Sequence, residues 1–241
     1  MKTLILTDNI HALAVATELQ LLHGEIDVFQ SPNGPLRDIP RLNVRERAPT
    51  LINEYDLVLS IHCKQMFPPL LVNSVRCVNV HPGFNPHNRG WFPQVFSIIN
   101  GLRAGVTIHE IDEQLDHGPI IVQREYTIEP WDTSGSAYRK IMNLERELVI
   151  ENFRTIRDGI YTATQPQTEG NVNYRKDFDA LRKIDLGEQG TFQDFLNRLR
   201  ALTHDDFRNA YFVDASGTRI FVRVTLEPEN SQERVTSPGV P

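Results

Sequence analysis

The sequence predicts an α/β fold in which a mostly parallel sheet carries helices on both faces, with a small unit of one helix and a β-hairpin at its C-terminal end. Three observations predict it. Short apolar runs alternate with stretches of helical periodicity through roughly the first 160 residues. The clearest helical pattern, 134–157, is long, capped and closes that alternation. Near Pro166 the character changes, and a capped helix and two strands around a turn follow. Alternating strands and helices of this kind imply a Rossmann-like parallel arrangement.

The elements follow in order. Lys2 to Thr7 is a buried strand at the start, and Ile10 to Leu22 a helix whose Leu13, Ala16, Leu19 and Leu22 share one face. Ile26 to Phe29 is a second strand, ended by Ser31-Pro32-Asn33-Gly34-Pro35. Leu57 to Ile61 and Cys77 to Val80 are the third and fourth, separated by a loop with Pro68-Pro69. A helix from about Phe92 to Asn100 carries Pro93 in its first turn, where proline is tolerated. Val106 to His109 and Ile120 to Tyr126 are strands flanking a polar loop. The helix from Ser134 to about Arg157 is capped by Asp132 or Thr133 and closed by Gly159, with Ala137, Ile141, Leu144 and Leu148 as its inner stripe. Gln165 to Asn173 reads as a polar linker. A helix starts at Thr191, with Asp194 placed for a capping box and Phe192, Phe195, Leu196 and Leu199 as its buried face. Asn209 to Asp214 and Arg219 to Leu226 pair as a hairpin. The expected divisions are 1–165 for the main domain, 166–228 for the small unit and 229–241 for a flexible tail.

With 40% hydrophobic residues the chain can bury a sizeable core, and its net charge of −6 disfavours a nucleic-acid partner. One small phosphorylated ligand needs only a local positive site. Cys63 and Cys77 fit free thiols in a reducing compartment. The N-terminus is too short for a signal h-region and no run reaches membrane-spanning length, so the expectation is a cytoplasmic protein with no membrane partner.

Chemistry concentrates in two segments. Asn79 and His81 sit two apart at a strand end, so their side chains face the same way, and Pro82-Gly83 stops the strand. Ligands of doubly wound sheets gather at the carboxyl ends of strands. There an amide can donate to an oxyanion and an imidazole can move a proton, which suits acyl transfer. The bland alternative is a turn in which both satisfy backbone groups. In the second segment Asp116 precedes Gly118-Pro119, where it could orient His81; Glu110, Asp112 and Glu113 read as a solvated loop and His109 as a structural, hydrogen-bonded histidine. The spacing of His81, His87, His109 and His117 matches no zinc signature, so no metal is expected. No serine sits in a nucleophile elbow. Two further loops could complete a pocket. One is Thr7 to His11 at a helix N-terminus, which favours phosphate. The other is Ser60 to Pro68, in which Lys64 could meet an anion and Met66 and Phe67 an aromatic ligand.

At these residues the sequence resembles the N10-formyltetrahydrofolate-dependent formyltransferases. Four ordered blocks carry the resemblance: Asn79-x-His81-Pro82-Gly83, Arg89-Gly90-x-x-Pro93, Gly105-Val106-Thr107-Ile108-His109, and Asp116-x-Gly118-Pro119-Ile120-Ile121. It covers roughly residues 1 to 160. Within the family the chain looks most like the nucleotide-sugar N-formyltransferases, especially those acting on dTDP-4-amino-4,6-dideoxyglucose. The resemblance implies Asn79, His81 and Asp116 as catalytic residues and N10-formyltetrahydrofolate as co-substrate. It implies a pterin cleft between the loop of Gln65, Met66 and Phe67 and the loop containing Ile111 and Asp112. It implies a nucleotide-sugar substrate with its phosphate near Asp8, Asn9 and Ile10, with Lys64, Pro82, Gly83 and Trp91 as further contacts, and often a homodimer. Other amine acceptors (a GDP-linked 4-amino sugar, glycinamide ribonucleotide), a formyltetrahydrofolate hydrolase and a nucleotide-sugar sensor stay open at this point.

Overall fold

A computed structural model describes residues 1–229, so the tail expected from residue 229 lies, apart from Glu229, outside the described residues. The central sheet has six strands in the order β2-β1-β3-β4-β6-β7. β1 (Thr3–Leu6), β2 (Ile26–Phe29), β3 (Leu57–Ile61) and β4 (Arg76–His81) run parallel, whereas β6 (Ala104–Glu110) and β7 (Ile120–Tyr126) are antiparallel at one edge. The two-residue strand β5 (Arg89–Gly90) lies outside this sheet.

The period of two along each strand divides the core. Ile5, Leu57, Leu59, Ile61, Val78 and Val80 point to one face, where α1 (Ile10–His23) and the long α5 (Ser134–Asp158) pack. Leu4, Leu6, Val58 and Cys77 point to the other, covered by α2 (Val44–Glu54) and the single turn α3 (Pro69–Val72). A third cluster joins α4 (Pro93–Asn100), Ala137 of α5 and α7 (Phe192–Leu202), so the C-terminal unit is packed against the edge of the main body. Among the described residues no helix is long and apolar enough to cross a membrane.

Several details depart from the sequence reading. Neither α2 nor α3 is anticipated: α2 is charged and contains Pro49, yet Asn43 caps it and Val44, Ala48 and Leu51 bury its inner face. On α5 the Thr133 capping box and the left-handed Gly159 are as expected, but Leu144 is only half-buried and Glu145 takes its place in the stripe. The segment read as a linker contains a short strand, β8 (Val172–Asn173), parallel to β5, and leads into the unanticipated α6 (Arg175–Arg182). α7 begins at the predicted cap, but its expected buried face is split: Phe192 is 94% exposed and Leu196 39% exposed, Phe195 and Leu199 are half-buried, and Arg200, Ala201 and Leu202 are buried. The hairpin β9 (Tyr211–Val213) and β10 (Arg219–Phe221) is shorter than expected, and its Val213, Ile220 and Phe221 are exposed.

Candidate active site

The carboxyl ends of β1, β3 and β4 meet the loops 88–94 and 111–116 around a cleft of about 480 Å³, a size suited to small-molecule ligands. The strand order turns back between β2 and β3 around β1, so this is the switch point where such sheets open a crevice.

Three predicted residues meet here. Because Val78 and Val80 point into the core, Asn79 and His81 point the other way, toward the cleft. Asp116 lies between them: its Oδ1 accepts from Asn79 Nδ2 at 2.9 Å, and its Oδ2 stands 3.3 Å from His81 Nδ1. The Gly90 N–H donates to the same Oδ2 at 3.0 Å. Antiparallel register sets His109 directly opposite Asn79, with Nε2 3.3 Å from the Asn79 amide nitrogen and 3.7 Å from Asp116 Oδ1. His109 Nδ1 lies 2.7 Å from the Glu110 carbonyl, which fixes the proton on Nδ1 and leaves Nε2 as an acceptor. The structural role expected for His109 is thus accompanied by a second one, since it also lines the cleft and touches Asn79.

His81 is 3% exposed, and its Nε2 is sealed from solvent without a hydrogen-bond partner among the described residues. A Cβ on Gly83 would stand 2.4 Å from that Nε2, so only glycine leaves room for the ring. Nδ1, beside Asp116, is therefore the nitrogen able to exchange a proton with the cleft. Burial pushes the His81 imidazole below its ordinary value; the Asp116 charge opposes this, and His109 and His62 reinforce it. Burial alone would raise the Asp116 carboxyl, but the charge on the His81 ring beside it and the Gly90 N–H outweigh it and hold Asp116 far below the usual carboxylate range. The site thus pairs a fixed carboxylate with an imidazole that favours its neutral form.

The segment after Pro166 positions the Asp116 partners. Asn171 and Asn173 accept through their carbonyls from the backbone of Arg89 and Trp91, and their side-chain amides donate to Asn88 Oδ1. This holds Gly90 against Asp116. Three residues with positive φ line the cleft, His62 (55°), Phe92 (53°) and Asp116 (48°), and a fourth, Asn88 (53°), lies buried behind it beside Arg89, a concentration of backbone strain of the kind found at working sites. The Asn85–Pro86 peptide in the same loop is cis.

The remaining predicted residues are spread around the cleft. Met66 (52% exposed), Phe67 and Ile111 form an apolar wall. Gln65 lines it too, but its amide is engaged by the backbone of Leu42 and Val44, which fixes the loop. Asp112 pairs with His117 at 2.6 Å. Lys64, Pro82 and Trp91 line the cleft, whereas Ile10 is 63% exposed and neither it nor Gly83 is part of the lining. Asp8 is buried, with its carboxylate accepting from the Ser31 N–H, the Ser31 hydroxyl and the Lys64 N–H, so it ties three loops together. Asn9 caps α1, accepting from His11 and Ala12, and donates to the Tyr138 hydroxyl at 2.7 Å. Cys77 is buried, its thiol pushed up to about 12 by burial, while Cys63 is half-buried and lines the cleft. Sequence reasoning missed Tyr138, Gln94 and the pair His62–Glu145; the signal for the last was a carboxylate inside the apolar stripe of α5.

Comparison with known proteins places this geometry among relatives. Residues 45–153 match a family model described as formyl transferase, and residues 177–228 match one described as an N-formyltransferase dimerization C-terminal domain. A Mycobacterium bovis protein named dTDP-4-amino-4,6-dideoxyglucose formyltransferase is 66% identical over 233 residues, 97% of this chain and 100% of the relative. A crystal structure from Mycobacterium tuberculosis, of a protein taken to be a sugar N-formyltransferase, shares 67% identity at a TM-score of 0.94, covering 95% of this chain and 99% of that one. The formyltransferase PseJ from Anoxybacillus kamchatkensis, in complex with UDP-4,6-dideoxy-4-formamido-L-AltNAc and tetrahydrofolate, shares 27% identity at a TM-score of 0.60, covering 75% and 89%.

Proposed function

The chain belongs to the formyltransferase family, and from that premise we propose that it transfers a formyl group from N10-formyltetrahydrofolate to the amine of dTDP-4-amino-4,6-dideoxyglucose, giving the N-formyl sugar. The observation that carries this reading is likeness over the whole length, 66% identity across 97% of the chain, to a relative named for that substrate. The cleft suits both ligands: Met66, Phe67, Ile111 and Leu115 offer apolar walls for a flat pterin, and polar groups gather around Tyr138 and His62 at the ends of β1 and β3. The folate supplies the activated formyl group; the protein supplies position, hydrogen bonds and a route for protons.

Asn79, His81 and Asp116 are the catalytic residues in this reading. Asn79 donates an amide N–H to the carbonyl oxygen as it gains charge. Neutral His81 takes the amine proton at Nδ1, and Asp116, 3.3 Å away, stabilises the imidazolium so formed. The same nitrogen then returns the proton to the departing donor nitrogen. His81 Nε2 has no part, since Gly83 seals it.

Gly83→Ala is expected to fold with a loss of about 1–3 kcal/mol from overpacking and to lose turnover at least about tenfold, because the new methyl displaces the ring and Nδ1 with it. Thermal unfolding with steady-state kinetics checks this; wild-type turnover in the folded variant would free His81 from the fixed geometry.

The exposed apolar side chains of the C-terminal unit, Phe192, Leu196 and Phe221, support a homodimer formed through residues 177–228 in a cytoplasmic enzyme. The substrate reading is tested by mixing the protein and formyl donor with a panel of amino-sugar nucleotides linked to dTDP, GDP and UDP, and following the mass gain of one formyl unit. Transfer to the dTDP-linked 4-amino sugar in preference to the rest is expected. Donor consumption with no acceptor present would instead indicate a hydrolase.

A further inference from the structure

A chain of net charge −6 that binds a diphosphate has to supply positive charge locally. The N-terminus of α1 is partly occupied, because Asn9 already accepts from two of its free N–H groups, and the Asp8 carboxylate is turned toward Ser31 and Lys64. The cation at that end of the cleft lies elsewhere. His62, at the end of β3, has its Nε2 2.8 Å from Glu145 Oε2, with side-chain exposures of 15% and 4%. Glu145 rises from the apolar stripe of α5, and its other oxygen is buried without a partner, so the carboxylate depends on His62. A buried carboxylate of this kind is stable when its partner is charged. Burial alone would lower the His62 imidazole, but Glu145 outweighs it and raises it, opposite to His81 in the same cleft. His62 adopts φ 55°, its carbonyl accepts from the Asp8 N–H, and the Tyr138 ring stands edge-on to the imidazole, so the ring is held from three elements. Lys64, exposed at the same rim, forms no ion pair with a carboxylate of the described residues.

We infer that the His62 imidazole, braced through Nε2 by Glu145, donates its Nδ1–H to the diphosphate of the nucleotide-sugar substrate, an assignment that rests on the substrate reading above. The negative end of the pair is buried and the positive end faces the cleft, so a net-neutral pair presents a cation to an anionic ligand. His62 is then a binding residue, separate from the proton transfer at His81.

The test measures dTDP affinity by calorimetry and steady-state kinetics with both substrates, for wild type, His62→Asn and the double variant His62→Asn with Glu145→Gln. The double variant leaves no unpaired buried charge and carries the test if the single variant does not fold. The expected result is dTDP binding weakened about 10- to 100-fold, the range of one charge-assisted hydrogen bond, and an equal rise in KM for the nucleotide sugar. kcat and the KM for the formyl donor should stay within about threefold. Unchanged dTDP affinity in a folded variant would overturn the inference and leave the pair as a latch between α5 and β3. A fall in kcat with dTDP binding intact would overturn it too, by moving His62 to the reacting amine. If the wild type neither binds dTDP nor formylates its amino sugar, the substrate reading itself falls and takes this contact with it.

Discussion

Replacing Asp116 by asparagine is expected to lower kcat about 10³-fold while leaving dTDP-sugar and folate affinities within a few-fold of wild type. The carboxylate has three partners, the Asn79 amide, the Gly90 N–H and the His81 ring, and only the last changes charge during the proposed reaction. Asparagine has the same shape and keeps one oxygen, so the loop fold set by the neighbouring chain should survive. The negative charge is lost, and an amide nitrogen must face either the Asn79 amide or the Gly90 N–H, donor against donor. The imidazolium then forms in a buried site without its counter-charge, where the missing interaction is worth far more than it would be in water. The loss should fall on kcat, because the His81 charge exists only after the amine proton has moved. Titration calorimetry with each ligand, beside single-turnover kinetics, separates the two effects. If folate binding alone disappears, Asp116 is a wall of the pterin cleft.

How much of this was legible in the sequence depends on the kind of signal. The sheet and α5 were readable because apolar side chains repeat at the periods of two and 3.6 that burial demands. Asn79-x-His81 was readable for the same reason: two polar residues in register at the end of an apolar strand must share a face. That Asp116 meets them is not fixed by spacing, since 37 positions separate it from Asn79; its place before Gly118-Pro119 made it a candidate partner for His81, and the resemblance made it a catalytic one. β8 was unreadable because its two residues carry no alternation; it is defined by backbone pairing with Arg89 and Gly90 and by asparagine amides converging on Asn88. The apolar face of α7 is covered only in part, with Phe195 and Leu199 half-buried and Phe192 and Leu196 exposed, because periodicity marks a face that needs cover and does not say whether the same chain provides it. His62 and Glu145, 83 positions apart, left one trace: Glu145 stands four residues after Ile141 and three before Leu148, on the stripe where a carboxylate needs a reason.

Asn79→Ala is expected to reduce kcat roughly 10²–10³-fold with little change in either KM, the size expected for loss of a principal oxyanion donor. The Asn79 amide has two N–H groups. One donates to Asp116 at 2.9 Å, and the other points to His109 Nε2 at 3.3 Å, which is long for a hydrogen bond. The longer contact is the one that can yield to a substrate oxygen acquiring charge, and His109 then serves to hold the amide in plane until the oxygen arrives. A donor that waits on a weak partner gains little from the ground state and more from the transition state, so its loss should appear in kcat. His109→Gln, which keeps an acceptor near the amide, should lower kcat by no more than about tenfold, since it disturbs the orientation of the donor without removing it. Asn79 is half-buried at the cleft, so water can satisfy Asp116 and His109 in the alanine variant and the fold should hold, which circular dichroism and thermal unfolding will show. If the folded alanine variant loses less than tenfold, the oxyanion is held elsewhere, and the charged form of His81 becomes the donor to examine next.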